Sequence, residues 1–443
     1  MENKMKAKDM SLLLLLGQIV LLGTTCFEGL GIISETVSGI VFVLLSGISI
    51  ILLIRKRMLF TPLLFPYVYL AFFGLYQLKL RTDMTDMQFG GKLTIVSCMF
   101  IWVLMCCCTK EIHFDIPQFQ DFRFNRKRFL LCVTLLSMIS IAAMLYEWKL
   151  AGGIPALRND AETFRMSVSQ SGAVHIMAIM IKIVAILIEA YWISSISTKQ
   201  KKSKWLLVLF GIALFMMWGT ANRGELLFIP VLGIMMYWLK YPPKFKKVFF
   251  IAVIGILVIA AYPAIRGYGL YGMSYFTQYS AISRVSWLGW FMPLYGTLAY
   301  NFEILNRLFH TFPSIVEYGF GNYSIFVYIP FFDFGEELWV VQNRVWNTNF
   351  YGALTSTYLG TWYADFGFLG CFLATILICW ILLELYKRVV IKKNFKALVL
   401  YAYFFYISLV GTYSNAFSFV TISYLILIYF VMAFCEEQKN RKN

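Results

Sequence analysis

Residues 33–54 read ISETVSGIVFVLLSGISIILLI, and the basic cluster Arg55-Lys56-Arg57 follows at once. An apolar run of roughly 17–25 residues is long enough for an α-helix to cross the hydrocarbon core of a bilayer. A basic cluster at the end of such a helix stays at the membrane surface, in contact with water. This stretch therefore predicts a transmembrane helix.

The composition of the whole chain agrees with this prediction. Hydrophobic residues make up 60% of the 443 residues and charged residues 14%, whereas soluble domains contain about 45–50% and about 25%. So few charges cannot cover a water-soluble surface. The same figures exclude disordered, collagen-like, coiled-coil and disulfide-rich classes.

Similar apolar runs recur along the chain, and each is a candidate membrane span. They lie at 11–27, 33–54, 59–78, 92–108, 129–147, 174–197, 204–219, 225–240, 247–264, 366–386, 397–413 and 416–434. The chain contains no internal repeat and no low-complexity stretch. We therefore predict an all-α polytopic membrane protein with about 12 transmembrane helices, built as a single integral membrane domain over residues 1–443.

The basic clusters predict the orientation of these helices. With the N-terminus in the cytoplasm, every dense cluster falls on the cytoplasmic side, as the positive-inside rule requires. The clusters are Arg55-Lys56-Arg57, Arg126-Lys127-Arg128, Lys199 to Lys204, Lys240 to Lys247, Lys387 to Lys396 and Lys439-Arg441-Lys442. Both termini are then cytoplasmic. The net charge of +16 is explained by topology, so no nucleic-acid partner is expected.

The same orientation places two substantial segments outside. The first outer loop is 148–173, and the second, 265–365, is too long for a simple connection, because structureless loops above about 12–15 residues are uncommon. Within it, residues 285–300 are apolar and aromatic, and 351–364 resembles a short helix. We expect a large external loop whose interfacial helices pack over the bundle as a cap.

The outward segments after residue 150 contain arginine and no lysine. Their arginines are Arg158, Arg165, Arg223, Arg266, Arg284, Arg307 and Arg344. A topology signal needs only positive charge, whereas the planar guanidinium group binds phosphate or carboxylate through two parallel hydrogen bonds. The pattern indicates an anion-binding outer face. The alternative is that each arginine pairs with a nearby acid, such as Asp160, Glu162, Glu225, Glu303 or Glu317.

Arg223 lies in a turn, 220–225, between two short spans. The apolar run 205–218 would cover about 21 Å as a helix, less than the hydrocarbon core of about 30 Å. The turn is therefore expected to sit below the outer surface, where arginine is costly. Thr220 or Asn222 could cap the next helix, whose N-terminal amides also attract phosphate. The alternative is a plain turn with an Arg223–Glu225 contact.

Two further groups of polar residues share a helix face. His175, Lys182 and Glu189 are spaced by seven within one predicted span, which indicates either a structural polar stripe or a route for protons or substrate. Glu303, Arg307 and His310 follow at i, i+4 and i+7, which indicates either a surface ion pair or a base beside an anion-binding arginine. The sequence leaves both pairs of alternatives open.

Motifs for nucleotides and metals do not occur in the sequence. It has no Walker A loop, no dinucleotide fingerprint after a strand, and no HExxH or cysteine-pair zinc motif. No DxD pair lies in the outer segments to hold a metal-bound nucleotide sugar. We therefore expect no cofactor and no metal, and a phosphate ligand would be held by protein groups alone.

Four stretches resemble the O-antigen or oligosaccharide repeat-unit polymerases, which are bacterial polysaccharide polymerases. They are TANRGELL around Arg223, AIRGYG around Arg266, YGFGNYSIFVYIP from Tyr318 to Pro330, and YLGTWYADFGFLG around Asp365. The resemblance covers most of residues 150–380. It implies a fold like that of the type C glycosyltransferases, with two outer loops of which the later is large.

The resemblance also implies the reaction. Undecaprenyl pyrophosphate carrying the growing glycan is the donor, and a hydroxyl of a single lipid-linked repeat unit attacks its anomeric carbon. Preorganised guanidinium groups would stabilise the pyrophosphate that leaves. Pyrophosphate binding is expected first of Arg223, then of Arg266, Arg284, Arg165, Arg158 and Arg307. The candidates for the general base are Glu303, His310 and Glu317.

Other residues and partners follow from the same resemblance. Asp365 and Gly367 are expected to be structural, capping and tightly packing the start of their helix. The protein would lie in the bacterial cytoplasmic membrane, with its active site outward, beside a chain-length regulator and a flippase. Two alternatives stay open: a related O-antigen ligase, which needs the same anion site, and a flippase or transporter of the lipid-linked unit.

Overall fold

The computed structural model describes residues 7–109, 119, 122–158, 172–201, 203–220, 223–251, 254–255, 272–324, 338–347 and 354–437. Within these ranges the chain is helical, with turns and two isolated β-bridges between the helices. The helices are α1 (Ala7–Gly29), α2 (Glu35–Arg55), α3 (Leu64–Gln77), α4 (Phe89–Cys108), α5 (Arg126–Ala151), α6 (Ala173–Ile179), α7 (Ile181–Thr198), α8 (Lys204–Gly219), α9 (Arg223–Lys240), α10 (Met273–Ile282), α11 (Met292–Thr311), α12 (Leu338–Trp346), α13 (Tyr358–Val390), α14 (Phe395–Val410) and α15 (Phe419–Phe434).

Six helical segments in the described ranges are long and apolar enough to cross a membrane. They are Leu12–Gly29 of α1, then α2, α4, α5, the continuous stretch Ala173–Thr198 of α6 and α7, and α13. Shorter apolar helices are α8, Leu227–Lys240 of α9, α14 and α15. The prediction of an all-α polytopic membrane protein is therefore confirmed. Each predicted apolar segment coincides with a helix except 247–264, most of which lies outside the described residues.

Polar side chains mark the start of two apolar helices, and a glycine marks the end of one of them. Ser34 accepts a hydrogen bond from the amide of Val37 (3.3 Å) at the start of α2, and Asn125 accepts one from the amide of Arg128 (3.2 Å) at the start of α5. Each satisfies an amide that the helix itself cannot pair. Gly152 ends α5 in the left-handed conformation, with φ of 85°.

Helix α3 is the buried centre of one half of the bundle, although it carries several tyrosines. The hydroxyl of Tyr67 donates to the carbonyl of Leu14 (2.9 Å), and the hydroxyl of Tyr69 donates to the hydroxyl of Thr357 (2.6 Å). Both rings are almost fully buried. Because a buried phenol needs a partner, these bonds tie α3 to α1 and to the start of α13.

Two glycines bring α2 and α3 into direct backbone contact. A Cβ atom added at Gly39 would lie 2.8 Å from the carbonyl oxygen of Gly74, and one added at Gly74 would lie 2.9 Å from that of Gly39. Beside them the rings of Phe42 and Phe73 meet edge to face, with centroids 5.4 Å apart. Small residues allow this close packing, which drives helix association in membranes.

The long segment predicted as an external loop contains helices where the structure describes it. Helix α10, a 3-10 helix at Ser286–Phe291, and helix α11 occupy much of 272–324, and α12 lies within 338–347. Helix α11 packs against α3 and α13. The short helix expected within 351–364 corresponds to the first part of α13, which begins at Tyr358 and precedes a break at Gly367.

Helix α13 is broken at Gly367, whose φ of 63° is left-handed. Just before the break, the buried carboxylate of Asp365 accepts hydrogen bonds from the amides of Tyr323 (3.0 Å) and Ser324 (2.7 Å). A structural role was expected for both residues, and the contacts agree with it. Asp365 departs from the expectation in one respect. Its carboxylate binds the turn that contains Tyr323 and Ser324 and does not cap its own helix.

We expect Gly367→Ala to destabilise the protein. Alanine would be strained at this φ of 63° and ψ of −152° by about 1–3 kcal/mol, and its Cβ would lie 2.8 Å from the hydroxyl oxygen of Tyr318. The melting temperature of the purified protein in detergent should fall. Gly47→Ala is the matched control, because a Cβ there meets nothing within 4 Å. An equal melting temperature for the two variants would contradict this account.

Candidate functional site

The candidate site is built along α11. Pro293 lies in its first turn, where the missing amide hydrogen is tolerated. Phe302, Leu305 and Phe309 are buried on one side, and the ring of Phe302 packs against those of α3. This burial fixes the rotation of α11, so its polar side chains can project only in defined directions.

Glu303 is fully buried on this helix. Its carboxylate accepts hydrogen bonds from the amide (2.9 Å) and the hydroxyl (3.1 Å) of Thr85, from the hydroxyl of Tyr76 (3.4 Å), and from Nε of Arg307 (3.1 Å). The side-chain amide of Asn306 holds Thr85 in place by donating to its hydroxyl (3.0 Å). The carboxylate is enclosed by donors, so it can orient Arg307 from within the protein.

Arg307 is the exposed partner of this pair. Its side chain is 34% exposed, and its guanidinium carbon lies 5.9 Å from the ring centre of Trp346 on α12. The indole nitrogen of Trp346 donates to the hydroxyl of Thr311 (3.1 Å), which fixes the ring. In the described part of the chain, Nε is the only nitrogen of Arg307 with a hydrogen bond to an acceptor. The ion pair with Glu303, one of the two alternatives that the i, i+4 spacing left open, is thus present.

Arg81 lies beside this pair, although the sequence analysis did not select it. Its Nε and Nη2 donate to the two carboxylate oxygens of Asp83 (2.9 and 2.6 Å), and its guanidinium carbon lies 4.5 Å from the ring centre of Tyr300 on α11. Burial alone would lower the pKa of Arg81, but the contact with Asp83 outweighs it and raises the pKa. Arg81 lies before residue 150, where the lysine-free outward segments begin, but the predicted topology also places its 79–91 connection outside.

Arg284 is held next to Arg81 through the backbone. Its amide donates to the carbonyl of Leu80 (2.9 Å), and Ser283 forms a β-bridge with Arg81. The side chain of Arg284 is exposed. Burial raises the pKa of the Tyr295 phenol to about 12, while the positive charges of Arg81 and Arg284 act against the rise. Both charges therefore act on the same part of α11.

The phenol of Tyr300 indicates that the charge of Arg307 also acts on α11. Its pKa is raised by burial, and the charges of Arg307 and Arg81 oppose the rise. The charges of Arg284, Arg81 and Arg307 thus all act on phenols of α11, beside the carboxylates of Asp83 and Glu303, and we call these three residues the α11 arginine row. Guanidinium groups gathered beside one helix are suited to a multiply charged anion such as a diphosphate.

The candidate bases differ in their surroundings. His310 is exposed near the end of α11, and its Nδ1 lies 2.9 Å from the side-chain nitrogen of Gln88 at the start of α4. Glu317 is exposed in the turn after α11. Glu303, in contrast, has no exposed surface. On access to a substrate hydroxyl, His310 and Glu317 are better placed than Glu303.

The remaining predicted arginines are described only in part. Arg158 is exposed at the end of the 3-10 helix Pro155–Leu157. Arg223 is the first residue of α9, but its side chain lies outside the description, as do Arg165 and Arg266 entirely. The possible cap Asn222 is also outside it, and the hydroxyl of Thr220 donates to the carbonyl of Met217 at the end of α8 (2.7 Å).

His175, Lys182 and Glu189 lie on two successive helices, because α6 ends before Met180 and α7 begins after it. Nδ1 of His175 lies 3.1 Å from the carboxylate of Glu147, and the ammonium of Lys182 lies 5.5 Å from two ring centres, those of Phe228 and Tyr424. Glu189 packs against Gly233. Each residue contacts a different neighbour, as in a structural polar stripe.

No cluster of three histidine, cysteine or acidic residues suited to a metal ion occurs in the part of the chain that the structure describes.

The chain was compared with known protein families and structures. The family model described as "Putative O-antigen polymerase" matches residues 36–420. The match includes the whole α11 arginine row and the break in α13. No curated protein and no solved structure matches the chain.

We expect Glu303→Gln to destabilise the protein. The amide nitrogen of glutamine would face the donors that now surround the carboxylate, and an unsatisfied buried polar group costs about 1–3 kcal/mol. Glu317→Gln is the control, because exposed positions usually change stability by less than about 0.5 kcal/mol. Thermal unfolding of the purified variants in detergent measures both. Equal stability of the two variants would show that Glu303 is not the anchor described.

Proposed function

Because the chain belongs to the O-antigen polymerase family, we propose that it polymerises lipid-linked oligosaccharide repeat units on the outer face of the cytoplasmic membrane. The growing glycan would be transferred from undecaprenyl pyrophosphate to a sugar hydroxyl of a new lipid-linked unit. The family match supports a polysaccharide polymerase. The donor, the side of the membrane and the residue roles are our proposal.

The α11 arginine row is the observation that carries this proposal. In the reaction the acceptor oxygen bonds to the anomeric carbon, and the bond from that carbon to the pyrophosphate oxygen breaks. The bonding electrons pass to the pyrophosphate, so negative charge grows on the leaving group. Fixed guanidinium groups stabilise that charge more than they stabilise the bound donor, which lowers the barrier. No metal ion is required for this role.

Arg307 is the best-supported member of the row. The buried Glu303 holds Nε, so the guanidinium plane is set before the substrate arrives. Its exposed edge can then bind two phosphate oxygens at once. Arg284 and Arg81 would add charge from the side of Tyr295 and Tyr300. The sequence-based proposals for Arg223, Arg266, Arg165 and Arg158 remain as further pyrophosphate contacts.

We propose His310 as the general base, with Glu317 as the second candidate. The base must take the proton from the acceptor hydroxyl while the new bond forms. His310 is exposed and lies one turn from Arg307 on the same helix. Glu303 was a third candidate, and its enclosure favours a positioning role.

The arrangement of the basic clusters supports the proposed topology, with about 12 spans and both termini in the cytoplasm. Lys396 in the first turn of α14 pairs with Glu436 after α15 (2.6 Å), and the guanidinium of Arg55 lies 5.8 Å from the ring of Phe245. Clusters that are distant in sequence therefore meet at one end of the bundle. Helix α11 would lie at the other end, outside the cell.

We expect deletion of the gene to abolish long polymer. Lipid-linked units would still be made, so single repeats should be attached to the surface lipid or accumulate on the carrier. Gel analysis of the surface glycan, with the wild-type gene restored as control, measures this. Retained long chains would reject the polymerase proposal. Loss of both single repeats and polymer would favour the ligase or flippase alternative.

We expect Arg307→Lys to shorten or remove the polymer while the protein stays in the membrane. Lysine keeps the positive charge but lacks the paired N–H donors of the planar guanidinium group. One charge-assisted hydrogen bond contributes about 1.5–3 kcal/mol, which is equivalent to a factor of about ten or more in rate. The matched control is Arg388→Lys, because Arg388 forms the same i, i+4 contact through Nε with Glu384 (3.2 Å) at the opposite end of the bundle. A wild-type glycan pattern for Arg307→Lys would remove Arg307 from the site.

A further inference from the structure

A cavity lies at the end of the bundle opposite to α11, between α2, α9 and α13. Its wall is mainly apolar and includes Ile54, Met58, Phe60, Trp238, Pro243 and Val390. The rings of Phe60 and Trp238 are in contact, with centroids 6.0 Å apart, and the hydroxyl of Tyr401 donates to the carbonyl of Phe60 (2.6 Å). The wall is therefore held in place by contacts behind it.

The rim of this cavity is basic. The three chain segments that form the wall, 54–61, 238–248 and 386–390, also carry Arg55, Lys56, Arg57, Lys240, Lys244, Lys246, Lys247, Lys387 and Arg388, and they contain no acidic residue. Arg57 lines the cavity itself and is exposed. Lys244, Lys246 and Lys247 are exposed and lie in the chain between two lining residues, Pro243 and Val248. The apolar wall and the cationic rim of the cavity thus come from the same three segments of the chain.

We propose that this cavity binds an anionic phospholipid of the adjacent leaflet. Part of one acyl chain would lie against the apolar wall, and the phosphate would be bound by Arg57 and the neighbouring cations. Basic pockets between membrane helices suit anionic head groups, and a guanidinium group binds phosphate oxygens in pairs. In the proposed topology this is the cytoplasmic leaflet. The site is therefore separate from the glycan substrates.

Two other ligand chemistries fit the cavity less well. A free inorganic phosphate would leave the apolar wall exposed to water, because it has nothing to cover Phe60 or Trp238. A zwitterionic lipid would cover the wall, but its ammonium group would lie among cations of like charge. An anionic lipid satisfies both parts of the site, since it brings an apolar chain and a net negative charge together.

The test is the melting temperature of the purified, delipidated protein in detergent with increasing phosphatidylglycerol. Phosphatidylcholine and inorganic phosphate are the comparison ligands. We expect phosphatidylglycerol to raise the melting temperature and the other two to raise it little. Arg57→Gln should weaken the apparent affinity about fivefold, the factor that about 1 kcal/mol per basic residue represents. Val390→Phe should also weaken it by filling the cavity.

Arg128→Gln is the matched control. Arg128 belongs to another basic cluster and stacks over Phe434 at 5.4 Å, but it does not line the cavity. It should keep the wild-type response. Equal shifts with phosphatidylglycerol and phosphatidylcholine would overturn the proposal, and so would an unchanged affinity in Arg57→Gln. If Val390→Phe does not fold, the result with Arg57→Gln decides alone.

Discussion

The carboxylate of Glu303 has to be paired where no water reaches it, and this requirement organises the outer end of the molecule. Leaving a buried charge without partners costs several kcal/mol. Its donors come from Tyr76 on α3, from Thr85 in the connection after α3, and from Arg307 on α11 itself. Helix α11 can therefore occupy only the position in which these three segments meet. The orientation of Arg307 is a consequence of that position.

Lysine and arginine have different surroundings at this end of the protein. Lys92 forms ion pairs with Glu28 and Glu35, and Lys79 forms them with Glu35 and Asp86. These ion pairs join the ends of α1, α2 and α4 to one another and to the segment that follows α3. Arg81 and Arg307 of the α11 arginine row each pair with one carboxylate, that of Asp83 and that of Glu303, and each also lies over an aromatic ring. The 79–91 connection therefore differs from the lysine-free outward segments after residue 150, because its Lys79 and the nearby Lys92 join neighbouring segments.

The sequence predicts what depends on neighbouring residues and leaves out what depends on distant ones. Apolar runs predicted the helices because hydropathy is local, and the contact of Glu303 with Arg307 followed from their i, i+4 spacing. The contact of Glu303 with Thr85 could not be predicted, because 218 positions separate the two residues. Arg81 was overlooked although its loop was assigned to the outside. Only the fold brings it to Tyr300.

The break in α13 explains why two stretches with the family resemblance lie together. A helix interrupted at Gly367 leaves carbonyl groups without donors. The amide of Gly319 donates to the carbonyl of Ala364 (3.0 Å), and that of Phe320 to the carbonyl of Asp365 (3.1 Å). These stretches therefore form the joint between the outer segment and the bundle. The break acts as Glu303 does for α11: it creates polar groups that only one arrangement of the outer segments can satisfy.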